Sequence, residues 1–349
     1  MNVLSLFDGM SCGRIALDRA GVNVTSYHAS ELDKYAIQVT QANWPKTVQL
    51  GDVTKWREWD IDWKGIDLLI GGSPCQGFSF AGKQLAFDDP RSKLFFVYVD
   101  ILKHIRTLNP DVKFMLENVR MKKEYLAVIS EQLGVQPVFI NSALVSAQNR
   151  QRYYWANWKI EQPEDRGILL ADILEHDFVD RDKSHCLDAN YYKGGNLKSY
   201  FEKHRRQLVF TNPAAIVGRK LDENGKRNDS LDSKPIQCLE VHEHGKSRCL
   251  STVAKDTVVS DMSKGRYPIT LRDKSKCVRS SGRGSYDRHE WDSISNCHYR
   301  KLTPIECERL QTVPDNYTNH VSNTQRYKML GNGWTVDVIA HIFKQWGSL

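Results

Sequence analysis

The stretch "LLIGGSPCQGFS", residues 68–79, ends an apolar run by presenting Cys75 behind Pro74 and two glycines. A thiol is a strong nucleophile once ionised, and a cysteine at a strand exit is open to a substrate. The alternative is a small buried residue, since a free cysteine packs like a small hydrophobe. Glu117 and Asn118 close a second apolar run, "VKFMLENV", where a carboxylate going under cover needs a partner. Arg150 and Arg152 in "QNRQRYYW" alternate, so strand geometry puts both on one face. Two guanidiniums there could bind phosphate or favour a neighbouring thiolate.

Three further features sit where strand-like runs end. "FDGMSCG", residues 7–13, offers Gly9 and Gly13 for a tight turn into a helix N-terminus, although a plain strand-to-helix turn reads as well. It is not G-x-G-x-x-G, so a dinucleotide is not indicated. Glu31 in "SELD" could accept from two ribose hydroxyls, or could be an acid beside a helix N-terminus. Asp52 in "GDV" could accept from an exocyclic amine such as adenine N6. Taken in order, the three suggest a nucleoside cofactor such as S-adenosylmethionine.

These groups need a scaffold that delivers them to one edge. The first 160 or so residues alternate strand-like and helix-like segments: "NVLSLF", "CGRIALDRAG", "VTSYHAS", "DKYAIQVTQAN", "TVQLGDV", "IDLLIGG", "KLFFVYVDILKHIRTL", "VKFMLENV", "KEYLAVISEQLG", "PVFINSALV" and "RYYWANW". Such alternation predicts an α/β fold with a doubly wound, mostly parallel sheet, in which ligands bind at the carboxyl ends of the strands. From residue 176 helical periodicity fades. "KSHCL", "KSRCL" and "KSKCV" form a weak Lys-Ser-x-Cys-apolar repeat, read as three turn-into-strand entries in a smaller, loop-rich β lobe. "TPIECERLQ" predicts a helix with Thr303 as N-cap and Pro304 at its first position, and "TVDVIAHIFKQW" a closing helix. The expected domains are 1–175 (catalytic and cofactor-binding), 176–295 (a second lobe) and 296–349 (a segment completing the first).

The chain has 349 residues, 40% of them hydrophobic, enough for one full core and a smaller lobe. No apolar run spans a bilayer and the start lacks the pattern of a signal peptide, so a soluble cytoplasmic protein with no membrane partner is expected. Of the net charge of +7, all lies in residues 176–300, which hold 24 Lys+Arg and 17 Asp+Glu; the remainder holds 25 of each sign. A basic lobe suits a polyanion such as nucleic acid, or is simply a solvated surface. The eight cysteines form no CxxC pair and are expected to be reduced. Cys238, His242, His244 and Cys249 have a spacing that fits no common zinc site, so no metal is expected.

The set resembles the cytosine-C5 DNA methyltransferase family. "FDGMSCG" is similar to its cofactor loop, "GGSPCQGFS" to its nucleophile motif, "ENV" to its glutamate motif and "QNRQR" to its Gln-x-Arg-x-Arg motif. "KLTPIECERLQTVPDNY" resembles the segment after the recognition region, and "GNGW" the closing Gly-Asn motif. Only about 176–295 lacks a match, as a target recognition domain would. "VLSLFDG", "KLFF", "VSAQNRQRYYW" and the late Trp lean toward the branch with vertebrate de novo methyltransferases and phage enzymes.

The resemblance implies the S-adenosylmethionine-dependent methyltransferase fold and methylation of carbon 5 of cytosine in a specific double-stranded DNA sequence. It implies that Cys75 adds to C6 of a flipped base, Glu117 contacts N3, Asn118 supports that loop, and Arg150 and Arg152 hold the base oxygen and the adjoining phosphate. Toward S-adenosyl-L-methionine it implies Phe7, Asp8, Gly9, Gly13, Glu31, Leu32, Asp52, Pro74, Leu94, Asn332, Gly333 and Trp334. A monomer acting in a bacterial or phage-infected cell, in a restriction–modification setting, is expected. Leu32 stands where an aromatic residue often follows the glutamate, and Gly333 where the closing motif usually has serine. The polar segment after Cys75 reads as a loop that closes on DNA. An RNA cytosine methyltransferase and a catalytically silent DNA-binding relative are the other readings.

Overall fold

A computed structural model describes residues 1–74, 93–210, 214–220, 228, 230, 232, 236–241 and 299–347. Cys75, the segment after it, the repeats at 246–250 and 274–278, and His242, His244 and Cys249 lie outside the described residues. The chain forms two compact units. The first comprises Met1–Ile168, Leu187–Tyr192 and Cys307–Leu349; the second comprises Leu169–Cys186 and Lys193–Glu306.

Seven strands build the sheet of the first unit: β1 (Asn2–Leu6), β2 (Ser26–Ser30), β3 (Val48–Gln49), β4 (Leu68–Gly71), β5 (Lys113–Val119), β6 (Val138–Asn141) and β7 (Gln151–Ala156). Their order is β3-β2-β1-β4-β5-β7-β6. β1 to β5 pair in parallel, while β7 runs antiparallel to both β5 and β6. The expected doubly wound, mostly parallel sheet is therefore present. The central strands read as continuous apolar runs because helices cover both faces: Val3, Leu4, Leu6, Leu68, Leu69, Ile70, Phe114, Met115 and Leu116 are all buried. The chain leaves β1 toward β2 and β3, then returns to place β4 on the other side of β1. The strand order thus switches between β1 and β4, and a crevice at their carboxyl ends follows from that switch.

The helices are α1 (Cys12–Arg19), α2 (Lys34–Asn43), α3 (Lys93–Leu108) and α4 (Lys123–Leu133). α3 buries Phe95, Tyr98, Val99, Ile101, Leu102 and Ile105, a stripe at helical spacing, each side chain contributing about 1.5–3 kcal/mol. α4 stops at Gly134, whose φ of 73° is left-handed and whose N–H caps the Ser130 carbonyl. Expectation and structure differ at β3, which keeps two residues, and at "PVFINSALV", whose second half is a 3₁₀ turn capped by Asn141.

In the second unit, α5 (Leu197–Lys203) stands where only strands were expected. Among the described residues β8 (Leu208–Phe210) pairs antiparallel with β11 (Tyr299–Lys301), and β9 (Ala214–Arg219) with β10 (Ile236–Val241). Residues 183–187, the first of the repeats, form no strand. α6 (Pro304–Leu310) starts where predicted, on a capping box: Glu306 N–H donates to Thr303 Oγ1 at 3.1 Å, and Thr303 N–H donates to Glu306 Oε2 at 2.8 Å. Arg300 completes the same carboxylate with a forked pair of bonds at 2.7 and 2.8 Å.

The end of the chain returns to the first unit as α7 (Asn323–Asn332) and α8 (Val336–Lys344), with α8 packed on α1. α7 has no apolar stripe to announce it. Its buried face includes Arg326, which donates to the fully buried Glu308 at 3.0 Å. Tyr317 donates to the Met10 carbonyl at 2.8 Å, so this return also braces the loop after β1. Among the described residues no helix is long and apolar enough to cross a membrane.

Candidate active site

Parallel strands put the ends of β1 to β5 on one edge of the sheet, and the loops that carry Asp8, Gly9, Glu31 and Asp52 leave from there. The loop after β1 turns sharply: Phe7, Gly9 and Ser11 have φ of 57°, 58° and 60°. Such a run strains the non-glycine residues and must be held from outside. Asp8 holds it. Its carboxylate accepts from Ser5 Oγ at 2.6 Å, Tyr27 Oη at 2.7 Å and Ser11 Oγ, while its N–H donates to the Ser30 carbonyl at 3.1 Å. Burial raises the Asp8 carboxyl from 3.8 to about 6, against the lowering effect of those three hydroxyls. The side chain is thus a strut inside the loop.

Glu31 ties the loops after β1 and β2 together. Its Oε2 accepts from Gly9 N–H at 2.8 Å, and its Oε1 accepts from the N–H groups of Leu32 and Asp33 at 2.7 and 2.8 Å. Leu32 itself is 70% exposed. Ser30 Oγ donates to the Gly51 carbonyl at 2.7 Å, stitching β2 to the turn after β3. There Asp52 caps a 3₁₀ turn, accepting from the N–H and the hydroxyl of Thr54, which hold its carboxyl below the usual range. Carboxylates at the ends of β2 and β3, beside a tightly turned loop at a helix N-terminus, fit the hydroxyls and amine of a nucleoside. Phe7 and Leu94 lie farther in, packed against the core.

A second cluster forms behind β4 and β5. Glu117 is 9% exposed, and both of its oxygens are engaged. Arg152 Nε lies 2.8 Å from Oε1, and Trp334 Nε1 donates to Oε2 at 3.1 Å. Asn118 Nδ2 donates to Ser73 Oγ at 3.2 Å, so Asn118 braces the backbone just before Pro74. A Cβ on Gly72 would come within 2.8 Å of Trp334 Nε1 and 3.0 Å of Glu117 Oε2, so this position has room only for glycine. Four segments distant in sequence meet here.

Arg150 is not part of that cluster. It is 4% exposed, and its guanidinium donates to the carbonyls of Leu187 at 3.0 Å, Gly331 at 3.2 Å and Gly333 at 2.8 Å. Arg152 is the second residue of β7 and Arg150 lies just before its first; Arg150 donates to main-chain carbonyls, whereas Arg152 meets the Glu117 carboxylate. Sequence reasoning assigned no role to Gln148, Gln311 and Thr335, which extend this lock. Gln148 Nε2 donates to the Leu310 carbonyl and to Gln311 Oε1, Gln311 Nε2 donates to the Leu330 carbonyl, and Thr335 Oγ1 donates to Gln311 Oε1. Gln148 was visible as the first residue of "QNRQR", and Gln311 stands inside "KLTPIECERLQTVPDNY".

Asn332 is exposed at the end of α7. At Gly333 a Cβ would sit 3.1 Å from the Met329 carbonyl and 3.2 Å from Cys12 Sγ and the Met10 methyl, which accounts for glycine where serine is usual. The Cys12 thiol is itself pushed up to about 12 by burial, so it is a packing residue and no nucleophile. The backbone of Asp188 and Ala189 presses on Gly331, where a Cβ would come within 2.3 Å of Asp188.

The family model described as C-5 cytosine-specific DNA methylase matches residues 1–348. The type II methyltransferase M1.ScrFI of Lactococcus lactis subsp. cremoris is 29% identical, over 97% of this chain and 75% of its own. The orphan methyltransferase M.SPRI of Bacillus phage SPR is 27% identical, over 99% of this chain and 97% of its own. The methyltransferase EhMeth of Entamoeba histolytica superposes with a TM-score of 0.60 at 16% identity, over 98% of this chain and 96% of that one, a likeness of fold.

Proposed function

The chain belongs to the C-5 cytosine-specific DNA methylase family and is a DNA cytosine-5-methyltransferase, and on that premise we propose that it methylates a flipped cytosine through a covalent bond to Cys75. The observation that carries this reading is the cluster of Glu117, Arg152 and Trp334 beside Gly72, three residues before Cys75.

Cytosine C5 is a poor nucleophile in an electron-poor aromatic ring. Addition of the Cys75 thiolate to C6 makes the C5–C6 bond single and moves its π electrons into an enamine across C4 and C5 as N3 takes a proton, and C5 can then take a methyl group. Glu117 faces N3 and shares the proton that offsets the charge of the adding thiolate. Arg152, aligned on the same carboxylate, contacts the base oxygen, and Asn118 fixes the strand exit that carries Pro74 and Cys75. Loss of the C5 proton and β-elimination then free Cys75. A paired base cannot reach this edge, so it leaves the helix, at a cost of a few kcal/mol.

S-Adenosylmethionine supplies the methyl group from its sulfonium. Glu31 is suited to its ribose, Asp52 to its amine, and the 7–13 loop to its amino-acid end; this donor set matches the group's chemistry. Residues 176–295, the basic stretch, are assigned to reading the DNA sequence, and the enzyme is assigned as a monomer.

The test is bisulfite sequencing of DNA from bacterial cells expressing the wild type and Cys75→Ser. Protected cytosines at one short sequence in the wild type, absent in the variant, are the expected result. Protection that persists in Cys75→Ser would refute the covalent role.

A further inference from the structure

Trp334 sits at the closing motif, where the resemblance implies only contact with the cofactor. Its indole N–H points elsewhere, donating to Glu117 Oε2 at 3.1 Å. We propose that Trp334 is a positioning residue for Glu117, fixing the plane of the carboxylate that meets the base; the proposal rests on the role assigned to Glu117 above.

Three observations carry it. The first is complementarity. An indole N–H is a donor only and does not titrate, so it stays a donor in every protonation state of the cycle. With Arg152 on Oε1 and Trp334 on Oε2, the carboxylate is gripped from both ends and cannot rotate about its last bond.

The second is the seat of the ring. Its Nε1 end lies over Gly72 and its Cζ3 edge lies over Gly13, 3.4 Å from where a Cβ would stand. Gly72, just past β4, and Gly13, in the first turn of α1, therefore make the slot that the indole fills. A Cβ on Gly72 would intrude on the donor and the acceptor of this bond together, at 2.8 and 3.0 Å.

The third is the anchoring of its backbone. On one side the Gly333 carbonyl accepts from Arg150 Nη2 at 2.8 Å and from Gln311 Nε2 at 3.3 Å, and the Gly333 N–H caps the Met329 carbonyl at 2.8 Å. On the other, Thr335 Oγ1 is bonded to Gln311. A ring held at both ends of its peptide and boxed by two glycines transmits position to whatever it bonds. The buried lock around Arg150 and Gln311 thereby acts on the reacting edge through one hydrogen bond.

The experiment measures kcat, KM and calorimetric affinity for S-adenosylmethionine, with plasmid DNA carrying the mapped target, in the wild type, Trp334→Phe, Glu117→Gln and Gly72→Ala. Trp334→Phe keeps an aromatic ring and removes the N–H together with part of the ring's bulk. It is expected to lower kcat by about tenfold or more, the usual effect of one bond to a charged acceptor. Cofactor affinity should stay within about twofold, and the melting temperature should fall only by the modest amount a smaller ring costs. Gly72→Ala should lower kcat in the wild type and cost less in the Trp334→Phe background, where no Nε1 remains to be displaced. A Trp334→Phe enzyme with normal kcat, or one whose whole defect is in cofactor affinity, overturns the proposal. If Trp334→Phe melts early, Gly72→Ala decides: normal kcat there overturns the proposal, and a kcat defect with intact cofactor affinity supports it. Glu117→Gln separates the two levels. A fully active Glu117→Gln enzyme would remove the role of Glu117 and the proposal with it. An inactive one beside a normal Trp334→Phe would remove the proposal alone.

Discussion

The loops after β1, β2 and β3 are tied to one another by side chains that reach main-chain groups, whereas the cluster behind β4 and β5 is tied side chain to side chain, by residues 117, 152 and 334. On the first side Glu31 takes the N–H groups of Gly9, Leu32 and Asp33, and Ser30 reaches a carbonyl. On the second, Arg152 and Trp334 converge on one carboxylate. Side chains anchored on main-chain groups hold a loop's shape, and would suit a cofactor that must bind and leave. A side-chain framework holds a single group in one orientation, and suits a proton-transfer step. The contrast assigns changes on the first side to cofactor affinity and changes on the second to turnover.

The widest gap between the two sides should come from Cys75→Ser: turnover falls by at least about 10⁴-fold, since serine is a far weaker nucleophile, while cofactor affinity measured by calorimetry is retained. Arg150→Met tests whether the lock is structural. It removes the guanidinium donor from the Leu187, Gly331 and Gly333 carbonyls, of which Gly333 keeps Gln311, and should cost on the order of 3 kcal/mol in urea unfolding. If Arg150→Met instead kept full stability and lost only turnover, Arg150 would belong with the base-facing groups after all. Glu117→Gln should lower kcat by about 10²–10³-fold, with calorimetric cofactor affinity unchanged.

Asp8 carries the pH dependence of the cofactor side. Its folded carboxyl titrates near 6, above the ordinary 3.8, so burial disfavours its charged form. The stability it contributes is complete below about pH 4 and is lost as the pH rises through about 6, amounting to roughly 3 kcal/mol. Urea midpoints of the wild type measured from pH 4 to 7.5 should show this fall relative to Asp8→Asn, and parallel curves for the two proteins would sink the assignment. The smallest expected effect is that of Glu31→Ala: about a tenfold weaker calorimetric affinity for S-adenosylmethionine, with kcat at saturation within about twofold.

The two sides also differ in how they could be read from sequence. Glycines, acids and helix starts placed just after apolar runs are local signals, and the positions of Gly9, Gly13, Glu31 and Asp52 follow from them. The meeting of Glu117 with Arg152 depends on β7 running antiparallel beside β5, and no local pattern specifies that strand order. α7 escaped because an arginine–glutamate pair stands in its buried face, where hydrophobic periodicity expects leucines. Gln311 stands inside "KLTPIECERLQTVPDNY", but its part depends on partners of its side chain 19 or more residues away.

The short stretch Leu187–Tyr192 belongs to the first unit although chain on both sides of it belongs to the second. Leu187 supplies a carbonyl to Arg150 and an N–H to Gln148, and Asp188 presses against Gly331. Anyone splicing a foreign recognition region into this enzyme therefore inherits a constraint on where to cut. A junction at residue 176 would carry off a strap that the catalytic body uses for its own integrity, and the hybrid would fail for reasons unrelated to reading DNA. A junction placed after Tyr192 leaves the strap with its owner, so that a hybrid built there reports on sequence choice alone.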